Sequence, residues 1–193
     1  MYTAKIQLTG ISPYSQSRQH GEPEFEKEKK DDYEARTWRK KCTVNERGEV
    51  VIPSGGLKQA LDSVAKYHGE KIKGKGQATY SKHFASGLLV LDNLPLLVNG
   101  KPATPEDAQM ELLQCNADGV RGSGKRVPRR FPVFPVGWTA AGALTVMDHI
   151  IEPELLQRYL TDAGMFIGLG RFRPANGGNK GRFKITRFEV EEA

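Results

Sequence analysis

Two helical stripes separated by alternating segments constrain this chain more than any other feature. Leu57, Ala60, Leu61, Val64 and Ala65 fall at i, i+3, i+4, i+7 and i+8 and make one apolar face. Ser54 is placed to cap that helix and Gly69 to stop it. A second stripe, Leu155, Leu156, Tyr159, Leu160 and Ala163, follows Pro153. Residues 3–9 alternate with Ala4, Ile6 and Leu8 on one side, and residues 183–190 alternate as a last strand. Strands are also predicted at 88–91, 94–98, 131–138 and 143–151, the last two antiparallel and joined near 139–142. A small hairpin is expected around the Asn45–Gly48 turn, and a short helix after Thr104 and Pro105. Residues 70–83 read as a loop.

Reduced to strand, helix, strands, helix, strand, the pattern predicts an α+β fold, a ferredoxin-like antiparallel sheet carrying two helices. One domain over 1–193 is expected, with insertions at about 12–50 and 69–130. The first insertion carries sparse apolar residues and reads as exposed, with some helix. The chain has 193 residues and two cysteines, Cys42 and Cys115, which excludes a disulfide scaffold and a four-cysteine zinc site. No secretory signal and no apolar run of membrane-spanning length is present, so a cytoplasmic location without membrane contact is expected.

The net charge of +6 is unevenly spread. Residues 22–34 hold seven acids and three bases, whereas 119–130 hold five bases and no acid. Residues 170–187 hold six bases and no acid, and 66–82 hold five lysines and one acid. Glycine-rich basic segments of this kind point to a polyanionic partner. The acidic segment is placed either to meet the basic 121–130 segment of another copy or to fold back on its own chain.

Catalytic constellations are sparse. His20, His68, His83 and His149 are scattered without metal-ligand spacing, and no phosphate-binding Walker loop is present. No metal and no cofactor are expected. The Asp31–Asp32 pair reads as solvated surface. The stretch from Gly168 to Phe183 is the informative one. Gly168, Gly170, Gly177, Gly178 and Gly181 permit close backbone approach to phosphate and can form amide nests. Arg171, Arg173, Lys180 and Arg182 add charge, and Phe172 offers a stacking face. A β-branched residue at Gly170 or Gly178 is therefore expected to harm binding more than stability.

The segment Val51-Ile-Pro-Ser-Gly-Gly-Leu-Lys-Gln-Ala-Leu61 resembles the I-P-G-S-S-L-K-G segment of the RAMP superfamily, the ferredoxin-like RNA-binding proteins of CRISPR effector complexes. The glycine-rich loop before the last strand resembles the second hallmark of that superfamily, in the same order. Here Ser54-Gly55-Gly56 stands in place of G-S-S, and Asp62 where an arginine is common. The likeness is strongest to the backbone subunits that polymerise along guide RNA. It implies that Ser54, Gly55, Gly56 and Lys58 contact phosphates and that an insertion forms a thumb between bases. Arg126, Arg129 and Arg130 would extend the basic track, and Tyr14 and Trp38 join Phe172 as stacking candidates.

The resemblance thus implies a non-catalytic protein binding single-stranded RNA, or single-stranded DNA, with copies of itself or CRISPR effector subunits as further partners. Two alternatives stand beside it. One is a phage-borne anti-CRISPR protein that mimics or caps a backbone subunit. The other is an endoribonuclease using His20, assembled with Tyr14 and Lys82, or Asp31 and Asp32.

Overall fold

Ala4, Ile6 and Leu8 are all buried, which commits β1 (Tyr2–Gly10) to the interior of a sheet. The computed structural model describes residues 1–117 and 124–192. After β1 come β2 (Tyr14–Ser15), α1 (Lys30–Thr37) with a 3₁₀ turn at Trp38–Lys41, and β3 (Val51–Ile52). Next are α2 (Ser54–His68), α3 (Tyr80–Gly87), β4 (Leu88–Leu89), β5 (Leu94–Val98) and β6 (Lys101–Pro102). β7 (Gln109–Asn116), β8 (Arg126–Phe134), β9 (Thr139–Val146), α4 (Pro153–Asp162) and β10 (Phe183–Glu192) complete the order.

The main sheet runs β10-β1-β9-β5-β3, with β4 also on β9 and β6 on β5, and every pairing is antiparallel. Strands β1 and β9 lie inside, and β10 and β5 outside them. α2 and α4 are the two crossovers, so the arrangement is the ferredoxin type expected. The α2 stripe is fully buried, as are Leu156, Tyr159, Leu160 and Ala163 of the second stripe. Gly69 ends α2 in the left-handed conformation, φ 56°.

Ser54 does not cap α2. Pro53, in extended geometry, precedes the helix, and Asn93 Oδ1 accepts the Ser54 amide at 2.9 Å. A residue distant in sequence therefore satisfies an amide of the first turn. The Asn45–Gly48 turn closes a small hairpin through a Val44–Val50 bridge. Thr104 and Asp107 bond each other at the short 3₁₀ turn that follows.

Three strand and loop expectations need correction. The 70–83 segment is not all loop, because α3 begins at Tyr80 and buries Phe84. β8 starts at Arg126, pairs with β7 and β2 rather than β9, and belongs to a second, three-stranded sheet of order β2-β8-β7. β9 begins at Thr139, where a turn was expected. The chain turns earlier, with Gly137 at φ 88°. Trp138 is then pulled inward, its indole N–H donating to the Ser12 carbonyl at 2.9 Å. Small side chains at Ala140, Ala141 and Gly142 let β9 lie between β1 and β5, and Gly142 faces Leu94 so closely that an added Cβ would stand 2.9 Å from its Cγ.

The acidic segment is more ordered than expected. Glu34 and Thr37 of α1, and Trp38 after it, are buried against β8.

Candidate nucleic-acid interface

Gln16 organises the floor of the site. It is buried, and its side-chain amide donates to Tyr14 Oη at 2.9 Å and to the Val51 carbonyl at 2.7 Å. Its Oε1 accepts the Thr43 amide at 2.6 Å. The chain leaving β2 is thereby tied to β3 at the start of α2. Two adjoining clefts open above, of about 600 and 420 Å³, and share Ser17, Arg18 and Arg171. The smaller is walled by Pro53 and Gly56 at the N-terminus of α2, by Gly170 and by Arg173. The larger lies between α1, the second sheet and the glycine-rich loop, and is lined by His20, Arg126, Phe131 and Phe172 among others.

The loop from Gly168 is folded, not floppy. The amides of Gly168, Gly177, Gly178 and Gly181 donate to the carbonyls of Ala163, Pro174, Arg173 and Pro13. They do not form the expected phosphate nest, because those donors are already used. An added Cβ at Gly170 would stand 2.3 Å from the Ser15 oxygen, and one at Gly178 would stand 1.8 Å from the Phe172 oxygen. These glycines serve the fold of the loop, so substitution there strikes stability first. What the loop presents is Phe172, held at φ 57°, a region that costs a non-glycine residue on the order of 1–3 kcal/mol.

Arg171 lies 4.0 Å from the Phe131 ring centroid and 4.6 Å from that of Phe172. The two rings meet edge to face at 5.5 Å. Among the described residues Arg171 has no carboxylate partner, and its Nε is buried and unbonded. Arg173 Nε is likewise buried and unbonded, its Nη2 reaching Gln59 at 3.2 Å. Arg18 and Arg126 make no ion pair among the described residues. His20 Nδ1 is also buried without a partner, beside Tyr33 at a ring separation of 6.0 Å. Buried polar nitrogens without partners are costly unless a bound water or ligand satisfies them.

The other basic side chains expected at the site are spent. Lys58 binds Asp62 and donates to the carbonyls of Phe84 and Ala85 at 3.1 and 3.2 Å, closing the end of α3. Arg129 binds Glu34 at 2.8 Å, Arg130 binds Asp31, and Lys180 binds Glu111 at 2.8 Å. Arg182 Nε donates to the Met165 carbonyl at 3.1 Å. Glu34 also accepts from Lys41 Nζ at 2.7 Å and from the Arg130 amide at 3.0 Å. Burial works to raise its carboxyl, but these donors outweigh burial and hold it below the usual carboxylate range. The bond from Arg130 holds Asp31 low in the same way.

Other expected site residues are placed differently. Tyr14 is fully buried between Phe134 and Trp138, and Trp38 is buried with Arg39 over its ring, so neither is a stacking platform. Lys82 stands on α3, outside the clefts, so the His20, Tyr14 and Lys82 set is not assembled. Asp31 is committed to Arg130 while Asp32 is exposed, so they offer no joint site. Ser54 is half-buried at the start of α2, and Gly55 and Gly56 meet nothing within 4 Å of an added Cβ. Two glycines in a helix cost about 1 kcal/mol each against alanine, and no neighbour requires them. They leave the backbone open where α2 faces the smaller cleft. Of the 119–130 segment, 119–123, including Arg121, lie outside the described residues. Arg18, Gln16 and Phe131 were not singled out by sequence. Their roles arise only when β2, β8 and the loop meet, and Arg18 carries no local signal beyond its charge.

Fold and clefts together define an α+β protein of ferredoxin type with an arginine-lined groove crossing the start of its first crossover helix. The crystal structure of Cmr6 from Pyrococcus furiosus is similar, with a TM-score of 0.51 over 94% of this chain and 96% of that one at 11% identity. A chain in the cryo-EM structure of the Type III-B Cmr-beta bound to cognate target RNA is similar at a TM-score of 0.52 and 10% identity. That match covers 99% of this chain and 61% of the other. At such identities the likeness shows a shared fold. No protein-family model and no curated protein matches the chain. No helix among the described residues is long and apolar enough to cross a membrane.

Proposed function

We propose that the protein binds single-stranded RNA without cleaving it, as a RAMP-type relative of the subunits that hold RNA in CRISPR effector complexes. The observation that carries this is the sorting of charge. Among the described residues, Arg18, Arg126, Arg171 and Arg173 line two joined clefts without acid partners, while nearly every neighbouring cation is already paired. A strand's phosphates supply the missing partners, and the half-buried Phe172 gives its bases a surface to stack on, backed by the buried Phe131. The arginines meet phosphates, so binding is governed by the backbone. The structural likeness to a chain of a complex bound to target RNA supports RNA as the ligand and effector subunits as partners. Isolation of the protein followed by sequencing of the nucleic acid that accompanies it tests the reading. Short RNA of mixed sequence is expected. Bound DNA, or a nucleic-acid-free protein that fails to bind RNA, would contradict it.

His20 favours a second reading, since an unbonded imidazole nitrogen in the larger cleft is where a ribonuclease holds a general base. RNA cleavage abolished by His20→Ala would establish it.

A further inference from the structure

The lysine-rich segment after α2 takes no part in the groove, yet it is built with care. Residues 71–79 fold as a tight hairpin through a Lys71–Thr79 bridge, with Ile72 buried as its anchor. Ile72 donates to the Ala78 carbonyl at 2.8 Å, and the tip turns through Gly74 and Gly76, at φ 78° and 60°. Lys66, Lys71, Lys73 and Lys75 are exposed and make no ion pair among the described residues. The acids beside them are consumed elsewhere. Glu70 binds Arg158 at 2.7 Å and accepts from Tyr159 Oη, and Asp162 binds His68 at 2.9 Å.

Tyr67, between Lys66 and Lys71 in sequence, belongs to an exposed aromatic pair. Tyr67 and Phe166 stack with centroids 5.7 Å apart and planes 22° apart, yet are 64% and 49% exposed. Phe166 projects from a π turn, Ala163–Ile167, that continues α4. Such turns are rare and concentrate at functional sites. Gly164 lets this turn sit against β10, where an added Cβ would lie 2.2 Å from the Phe183 oxygen.

We infer that Tyr67, Phe166 and the lysines of this hairpin form a second contact surface for single-stranded nucleic acid. Stacked rings open to solvent, on a segment whose lysines carry no counter-charge among the described residues, suit bases and phosphates together. The exposed side of α2 links the two surfaces. Arg173 at the groove contacts Gln59, and eight residues of helix from there to Tyr67 span about 12 Å. A strand that followed this side of α2 out of the groove would reach the platform. The inference rests on the proposed ligand class but not on the groove residues.

Anisotropy titration of a labelled 20-nucleotide RNA decides, using wild type, Tyr67→Ala, the triple variant K71Q/K73Q/K75Q and the groove variant R18Q/R171Q, each checked for native circular dichroism. Tyr67→Ala is expected to weaken binding about tenfold, within the range for loss of one stacked base. The triple variant is expected to flatten the salt slope by about 2, at about 0.7 for each phosphate contact. Wild-type affinity and slope in both patch variants, with the groove variant impaired, would overturn the second surface and leave the groove standing. Losses in the patch variants alone would uphold the platform and remove the groove. Binding of the patch to vesicles containing phosphatidylserine but not to RNA would overturn it in favour of a membrane.

Discussion

The Arg130 guanidinium grips Asp31 through both terminal nitrogens, 2.6 Å to Oδ1 and 3.2 Å to Oδ2, across 99 positions of sequence. With Glu34 on Lys41 and Arg129, this pair lays the acidic segment over the basic hairpin of its own chain. Of the two placements open to that segment, the structure has the intramolecular one. Those charges are no longer available for head-to-tail pairing of copies. The protein is expected to be monomeric without RNA by native mass spectrometry, with assembly only as RNA length grows. Salt-sensitive oligomers of the RNA-free protein would contradict this.

Glu34 is the centre of the attachment. Glu34→Gln leaves Lys41, which is 8% exposed, without its counter-charge. Breaking one side of a buried pair costs about 3 kcal/mol. For a chain of this size that lowers Tm by roughly 6–12 °C. Thermal unfolding followed by circular dichroism checks it, and an unchanged Tm would mean that the pair is idle.

The pH response follows from the same carboxyls. Asp31 and Glu34 are held below their ordinary range, so their contribution is present at neutral pH and is lost as pH falls through that range and below. Protection factors in α1, taken against intrinsic exchange at each pH, should fall below about pH 4, the unperturbed carboxylate region, before those in α2 do. Simultaneous loss of protection in both helices would show that α1 is not separately tethered.

Gly55 and Gly56 separate stability from binding. Neither meets a neighbour within 4 Å of an added Cβ. Alanine at either should stabilise α2 by roughly 0.5–1 kcal/mol. It should also weaken RNA binding by crowding the backbone at the cleft. Gly170→Val should do the reverse and unfold the loop, since its Cβ would stand 2.3 Å from the Ser15 oxygen. Denaturant melts paired with RNA titration measure both.

The parts legible in sequence were those decided locally. The α2 stripe and the alternation of β1 each settle which side is buried within their own residues, and all of those apolar positions are buried. β7 was not legible, because its apolar Met110 and Leu112 are exposed rather than in the core and the strand forms through its pairing with β8. α3 offers one large buried residue, Phe84, too few for a periodic signal. The glycine-rich loop was found, but its glycines turned out to be needed by the loop's own backbone. Which cations stay free depends on where carboxylates come to rest. Lys58 and Arg126 look alike in sequence, yet one closes a helix and the other lines a cleft.

That division of the cations decides what the groove can bind, and one titration tests it. The affinity of a 20-nucleotide single-stranded RNA is measured against salt for wild type, R18Q/R126Q/R171Q/R173Q and Lys58→Gln. Wild type should show a log–log slope of about −5, from four groove and three hairpin contacts at about −0.7 each. The quadruple variant should keep its circular dichroism and flatten that slope by about 3, at the same value per contact, while Lys58→Gln loses stability but keeps affinity. Wild-type affinity and slope in the quadruple variant, or an equal loss of affinity in Lys58→Gln, would contradict it.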